Sequence, residues 1–186
     1  MNPKVLVLTA PSGSGKTTIA QRVLAAFPNM QFSVSATTRL PRPHEQDGVH
    51  YHFVTPEQFQ QYIAEDALFE YQEVYTGRLY GTLRAEVECA ARTAPVLLDI
   101  DVKGAMNVKA AYGNRALVLF IRPPSLAVLA ERLKARATED AASLKKRLER
   151  TAEEMTYAER CDAVIVNDDL ETAVAETLAW VRAFVK

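Results

Sequence analysis

The clearest pattern in this chain is a loop of small residues that reads Ala10-Pro11-Ser12-Gly13-Ser14-Gly15-Lys16-Thr17. A short apolar run at residues 5–8 precedes the loop, and a helical pattern over residues 17–27 follows it. The loop matches the phosphate-binding pattern G-x-x-x-x-G-K-[ST] at every position except the first, where Ala10 replaces glycine. Because strand, loop and helix occur in this order, the sequence predicts a loop that binds a nucleoside triphosphate.

The residue types of the loop suit a bound phosphate. Gly13 and Gly15 let backbone N–H groups turn inward without a Cβ clash, and the following helix directs its positive end to the same place. Lys16 is expected to reach the β- and γ-phosphates, and the Thr17 hydroxyl is expected to bind Mg²⁺. The predicted nucleotide-binding loop therefore comprises Ala10, Pro11, Ser12, Gly13, Ser14, Gly15, Lys16, Thr17 and Thr18.

The rest of the chain favours an α/β fold. Further apolar runs at residues 95–100, 116–121 and 163–166 suit strands buried on both faces of a parallel sheet. Helical patterns at 103–111, 126–136 and 170–185 alternate with these runs, as right-handed crossovers require. Residues 33–81 instead show the alternation of half-exposed, antiparallel strands, with a helix start at Thr55-Pro56. Residues 127–157 are charge-dense and helical in pattern.

Composition excludes several classes of protein. The formal net charge of −1 argues against a long nucleic-acid partner, because such binding depends on excess Lys and Arg. Two cysteines are too few for a disulfide scaffold or a cysteine-rich zinc module. No apolar run near the N-terminus reaches the length of a signal segment or a membrane span. We therefore expect a cytoplasmic protein without a membrane partner.

Two further groups of charged residues suggest a reaction on phosphates. Asp99 and Asp101 end an apolar run, where an aspartate is the expected partner of Mg²⁺ or water. Arg39 and Arg42 flank Pro41 in a stiff cationic corner suited to phosphate, although a solvated basic turn fits these residues equally well. From the residues alone, an NTPase, a GTPase switch and a small-molecule kinase stay open, and the guanine-reading motif N-K-x-D of GTPases is absent from the sequence.

Longer stretches resemble one family. They are residues 35–42 (SATTRLPR), Glu45, residues 47–53 (DGVHYHF), Phe69-Glu70, Tyr80-Gly81-Thr82, residues 98–105 (LDIDVKGA), Pro123-Pro124-Ser125 and residues 166–170 (VNDDL). They occur in family order over nearly the whole chain and are similar to the motifs of guanylate kinases of the bacterial, single-domain type.

The resemblance implies a P-loop nucleoside monophosphate kinase fold. Its expected parts are a parallel-sheet core at residues 1–32, 89–125 and 158–186, an α+β GMP-binding insertion at 33–88, and a helical lid at 126–157. The family transfers the γ-phosphate of ATP to GMP with Mg²⁺, giving ADP and GDP in purine metabolism. The resemblance does not decide whether dGMP is a second acceptor. It also does not decide between a monomer and a homodimer.

The resemblance also implies residue roles. The acceptor site would hold the GMP phosphate with Arg39, Arg42, Tyr51 and Tyr80, and it would read guanine with Ser35, Glu70, Thr82 and Asp101. Gly81 and Asp99 complete the expected GMP site, and Asn167 would lie near the adenine of ATP. Lys16, Arg39 and the lid arginines Arg136 and Arg147 are the expected catalytic residues. The cations Lys134, Lys145, Lys146 and Arg150 are interpreted as a solvated helix face.

The chemistry of guanine supports the role of Glu70 independently. Guanine presents N1–H and N2–H₂ as adjacent donors, which one carboxylate accepts together, whereas adenine has an acceptor at N1. Adenine would leave a buried carboxylate unpaired, and the free-energy cost would favour guanine over adenine by about 10⁴-fold. Two alternatives stay open: a catalytically inactive binding module of the same family, and a P-loop kinase with another acceptor.

Overall fold

The computed structural model describes residues 4–75, 77–135 and 149–186. The strands are β1 (Val5–Thr9), β2 (Gln31–Phe32), β3 (Ala36–Thr37), β4 (His52–Phe53), β5 (Leu68–Tyr75), β6 (Arg78–Leu83), β7 (Val96–Asp99), β8 (Ala116–Arg122) and β9 (Ala163–Val166). The helices are α1 (Lys16–Ala26), α2 (Pro56–Ala64), α3 (Arg84–Ala91), α4 (Val102–Tyr112), α5 (Leu126–Ala135), helical residues 149–155, labelled α6, and α7 (Leu170–Val185).

The core is a five-stranded parallel sheet in the order β2-β7-β1-β8-β9. Alternate side chains of β1 point to opposite faces of the sheet. Leu6 and Leu8 pack with α1 and α7, and Val5 and Val7 pack with α3 and α4. The sheet is therefore buried on both faces, as continuous apolar runs require, and the predicted α/β core is confirmed.

A second sheet, in the order β4-β3-β6-β5, carries the middle of the chain. The pairs β3–β6 and β5–β6 are antiparallel, but β3 and β4 run parallel, so the prediction of antiparallel strands is wrong for this pair. The reason is the long connection at residues 38–51, because parallel neighbours need a crossover rather than a tight turn. Helix α2 starts as predicted, since the Thr55 hydroxyl and the Gln58 side chain form a capping box.

The topology brings the carboxyl ends of β1 and β7 together. The two strands pair from Val5 opposite Val96 to Leu8 opposite Asp99, so the loop after β1 lies beside the aspartates that follow β7. In the part of the chain that the structure describes, no helix has the length and apolar character needed to span a bilayer.

Candidate active site

The phosphate loop is tied to the end of β7. Lys16 begins α1, and its Nζ lies 2.5 Å from Asp99 Oδ1 and donates to the carbonyl of Ile100 at 2.9 Å. The Thr17 hydroxyl donates to Asp99 Oδ2 at 3.2 Å. A loop lysine, a hydroxyl and a carboxylate therefore meet at one edge of the sheet. Oxygen donors such as the Thr17 hydroxyl and the Asp99 carboxylate suit Mg²⁺.

A buried amide that follows the edge strand β9 contacts the same loop. Asn167 Nδ2 donates to the carbonyl of Ser14 at 2.7 Å, and the side chain is 4% exposed. Gly15 has a φ of +90°, and a Cβ there would lie 2.3 Å from the same amide nitrogen, so a larger residue would strain the backbone and displace Asn167. Arg132 in turn donates both Nη atoms to the Asn167 carbonyl, at 3.3 and 3.2 Å.

Ala10 fits the first position of the loop without strain. Among the described residues that are not glycine, only Asp66 has a positive φ, so Ala10 keeps a backbone conformation that any residue adopts. It is buried at the end of β1 and packs in the apolar core. The departure from glycine at this position therefore leaves the shape of the loop intact.

The second sheet gathers aromatic residues around Arg39. Its guanidinium makes a forked contact with Glu45, with Nη1–Oε2 at 2.5 Å and Nη2–Oε1 at 2.6 Å. Nε donates to the Tyr80 hydroxyl at 3.1 Å, and the group lies 4.9 Å from the ring centroid of Tyr51. The hydrogen bonds from Arg39 lower the pKa of Glu45 to about 2. This pair therefore stays ionised throughout the working pH range and fixes the orientation of Arg39.

Glu70 occupies a half-buried position on β5. Its Oε1 accepts a hydrogen bond from the Thr82 hydroxyl of β6 at 2.7 Å. Burial raises the pKa of Glu70 to about 7, with a smaller upward contribution from Asp101, while Thr82 and Lys16 act in the opposite direction. The carboxyl is thus held in a partly buried site next to a second carboxylate, where a ligand with N–H donors stabilises its charged form.

Asp101 caps the helix that faces Glu70. Its Oδ1 accepts a hydrogen bond from the Gly104 backbone N–H at 2.7 Å. Asp101 is thus the N-cap of α4, and the N-terminus of this helix points to the site. Within the described residues, Asp101 Oδ2 is buried and has no hydrogen-bond partner. One carboxylate oxygen therefore serves the fold, and the other is free for a donor brought by a ligand.

Glycine at position 104 makes room for Glu70, and replacing it tests that packing. A Cβ on Gly104 would lie 2.1 Å from Glu70 Cγ and 2.6 Å from its Cβ, so Gly104→Ala forces the Glu70 side chain to move. A displacement of this size raises the KM of the acceptor by about 10²-fold, measured by steady-state kinetics alongside thermal unfolding.

The matched control is Gly113→Ala. The φ of Gly113 is +55°, but nothing lies within 4 Å of a Cβ there, so alanine strains the backbone without touching Glu70. We expect Gly113→Ala to lower stability and leave the acceptor KM unchanged. Equal kinetic effects in the two variants would contradict the packing argument.

The remaining predicted residues lie in several places. Tyr51 and Tyr80 meet edge to face, with ring centroids 5.8 Å apart, and Gly81 packs closely against Glu70, Phe59 and Tyr71. Arg42 is exposed, and its backbone N–H donates to Glu45 at 2.8 Å. The Ser35 carbonyl accepts from the backbone of His52. Arg136 and Arg147 lie outside the described residues, as do the side chains of Lys134, Lys145 and Lys146.

Sequence reasoning assigned no role to two residues of this region and missed the contacts of a third. It gave no role to Glu45, although the spacing from Arg42 put a carboxylate beside the cationic corner. Gly104 also had no assigned role, and only its close approach to Glu70 reveals one. Arg150 is exposed, as expected for a solvated helix face, but its guanidinium also bonds to Glu154 and Gln72, which the sequence did not predict.

The comparisons with known proteins agree with this geometry. Residues 2–183 match the family model described as guanylate kinase. The chain is 61% identical over 180 residues to a guanylate kinase of Salinibacter ruber, covering 97% of this chain and 96% of the relative. It is 47% identical to a guanylate kinase of Bacteroides fragilis, covering 97% and 89%.

A solved structure supports the same fold. The crystal structure of guanylate kinase from Anaplasma phagocytophilum superposes with a TM-score of 0.75 at 32% identity, and the match covers 98% of this chain and 86% of that one. The parallel-sheet core, its phosphate loop and the second sheet thus have a P-loop nucleoside monophosphate kinase fold. On the length of the family match and these identities, the chain belongs to the guanylate kinase family.

Proposed function

We propose that this chain transfers the γ-phosphate of ATP to GMP, forming ADP and GDP. The observation that carries the proposal is the segment after β7: Asp99 and the Ile100 carbonyl hold Lys16, and Asp101 caps α4 at Gly104, which packs against Glu70. The lysine suited to a triphosphate and the carboxylate suited to guanine therefore lie at neighbouring sites on one edge of the core sheet. Family membership over nearly the full length supports the same activity.

On the donor side, we assign ATP to the loop at residues 10–18, with Asn167 behind it. Thr17 and Asp99 are adjacent oxygen donors, and Mg²⁺ held there would neutralise charge on the β- and γ-phosphates. Lys16 is positioned to leave Asp99 for the transferred phosphoryl group, where a fixed cation stabilises the transition state. Arg136 and Arg147 are proposed to add charge to the same group on the evidence of sequence resemblance alone.

On the acceptor side, we assign the GMP phosphate to Arg39, Arg42, Tyr51 and Tyr80. Glu45 orients Arg39 through the forked contact, the Tyr51 ring lies against the guanidinium, and the Tyr80 hydroxyl accepts from Arg39 Nε. The guanine base is assigned to Ser35, Glu70, Thr82 and Asp101. Glu70 would accept from N1–H and from one hydrogen of the N2 amino group of guanine. Asp101 Oδ2, which has no hydrogen-bond partner among the described residues, would accept from the second hydrogen of that amino group.

Phosphoryl transfer here requires positioning more than covalent chemistry. The two substrates would lie on opposite sides of Lys16, with the donor in the loop after β1 and the acceptor along β5 and β6. Closing such a site against water suppresses hydrolysis of ATP when the acceptor is absent. We further propose the division into core, insertion and lid given above, action in the cytoplasm, and no nucleic-acid partner.

A panel of acceptors tests the proposed function. With ATP and Mg²⁺, ADP release should be faster with GMP than with AMP, CMP or UMP by about 10⁴-fold in kcat/KM, and dGMP belongs in the same panel. The rate of ADP release from ATP without any acceptor is the background to subtract. Equal rates with AMP and GMP would overturn the assignment of Glu70, and binding of GMP without turnover would support the inactive binding module.

A further inference from the structure

Arg150 joins parts of the molecule that are far apart in sequence. It lies on α6, where Nε donates to Glu154 Oε1 at 2.8 Å. Its Nη2 donates to Gln72 Oε1 of β5 and lies 3.9 Å from Asp101 Oδ2. One guanidinium thus contacts its own helix, the second sheet and the N-terminus of α4.

The contact with β5 reaches the strand that presents Glu70. Glu70 and Gln72 pair with Thr82 and Tyr80 of β6, with no irregularity between them. Because side chains alternate along a strand, Glu70 and Gln72 lie on the same face. A hydrogen bond that fixes Gln72 therefore limits the motion of the strand segment that carries Glu70.

The contact with Asp101 reaches the other acidic group of the acceptor site. Asp101 Oδ1 is held by the Gly104 N–H, and Asp101 Oδ2 is buried without a hydrogen-bond partner among the described residues, so the charge of Arg150 at 3.9 Å acts on the oxygen that the fold does not use. Glu154 is itself 8% exposed, and carboxylates gathered in a dry site repel one another. A cation among them offsets that repulsion and keeps Asp101 directed toward the acceptor.

We propose that Arg150 is a positioning residue for the acceptor: it holds Gln72 of β5 and Asp101 of α4 in the arrangement that receives the guanine base. This inference rests on the proposed GMP kinase function. It requires that Arg150 influence GMP binding without affecting the ATP loop, because its contacts lie on the acceptor side. A guanidinium is needed, since its planar fork serves two acceptors in fixed directions at once.

The first test is Arg150→Met, which keeps a long apolar side chain and removes charge and donors. Because Arg150 is 41% exposed, we expect a moderate effect: the KM for GMP rises about tenfold, while kcat at saturating GMP and the KM for ATP stay close to wild type. Calorimetry with GMP alone should show the same loss of affinity. An unchanged affinity for GMP would overturn the proposal.

Two variants separate positioning from general stability. Arg150→Lys keeps the pair with Glu154 but loses the fork, so it should restore thermal stability and retain most of the loss in GMP affinity. Full recovery of GMP affinity with lysine would show that charge alone matters and would contradict the proposal. Arg160→Met is the matched control, because Arg160 is exposed and stacks on Tyr157 just after α6; it should behave as wild type.

A double-mutant cycle tests the contact itself. If Arg150 acts through Gln72, then Gln72→Leu raises the KM for GMP, and adding Gln72→Leu to Arg150→Met raises it no further. Fully additive effects would rule out this route. Wild-type protein without GMP kinase activity would refute the proposed function, whereas an active wild type with an unaffected Arg150→Met variant would refute only the present inference.

Discussion

Replacing Lys16 with alanine is expected to lower kcat for GMP phosphorylation by about 10³-fold, because a fixed cation at the transferred phosphoryl group is lost. Lys16 is held at the site by Asp99 at 2.5 Å and by the Ile100 carbonyl at 2.9 Å. Alanine leaves the backbone of the loop in place. The affinity for GMP should persist, since the acceptor residues lie on the second sheet and on α4, and calorimetry would measure it.

The matched control for Lys16→Ala is Arg22→Ala on the same helix. Arg22 forms an ion pair with Glu171 at the surface, with the two side chains 48% and 67% exposed, and such pairs contribute little to stability. This variant should keep full activity. Loss of GMP binding together with turnover in Lys16→Ala would contradict the separation of donor and acceptor sites.

The second large effect is expected for Glu70→Gln. Glutamine has nearly the same shape, and its carbonyl oxygen still accepts from Thr82, but its amide nitrogen meets the N–H donors of guanine with a donor. We expect kcat/KM for GMP to fall by about 10³-fold, while the slow reaction with AMP changes little. The selectivity for GMP over AMP is therefore the quantity to measure.

Stability and pH dependence distinguish a binding role from a structural one. Burial raises the pKa of Glu70 to about 7, so in the free protein its contribution to stability is present at low pH and is lost as the pH rises through about 7. Glu70→Gln should unfold at pH 8 at a temperature at least as high as wild type.

GMP affinity of the wild type should fall below pH 7, as Glu70 becomes protonated, and the variant should lack this dependence. A collapse of stability in Glu70→Gln would instead identify Glu70 as structural.

The sequence predicted the core better than it predicted the contacts between charged groups. Apolar runs located β1, β7, β8 and β9 to within two residues, because such runs are stable only when both faces of the strand are buried. The phosphate loop followed from local spacing. In contrast, the fork between Arg39 and Glu45 and the contacts of Arg150 depend on how distant segments pack, and a charged side chain has the same local pattern whether it is solvated or paired. Residue roles inferred by resemblance, including those of Ser35 and Arg42, stay predictions.

The amide of Asn167 has a consequence for how the protein becomes functional during synthesis. The phosphate loop is translated early, but the side chain that braces it follows β9, the strand that pairs with β8 at the edge of the core sheet. Lys4 likewise donates to the Phe184 carbonyl near the other end of the chain. A nascent chain that lacks these late residues holds every loop residue needed for a triphosphate, yet it lacks the brace that shapes the loop. Competence to bind ATP should therefore arise only after β9 and Asn167 have joined the core.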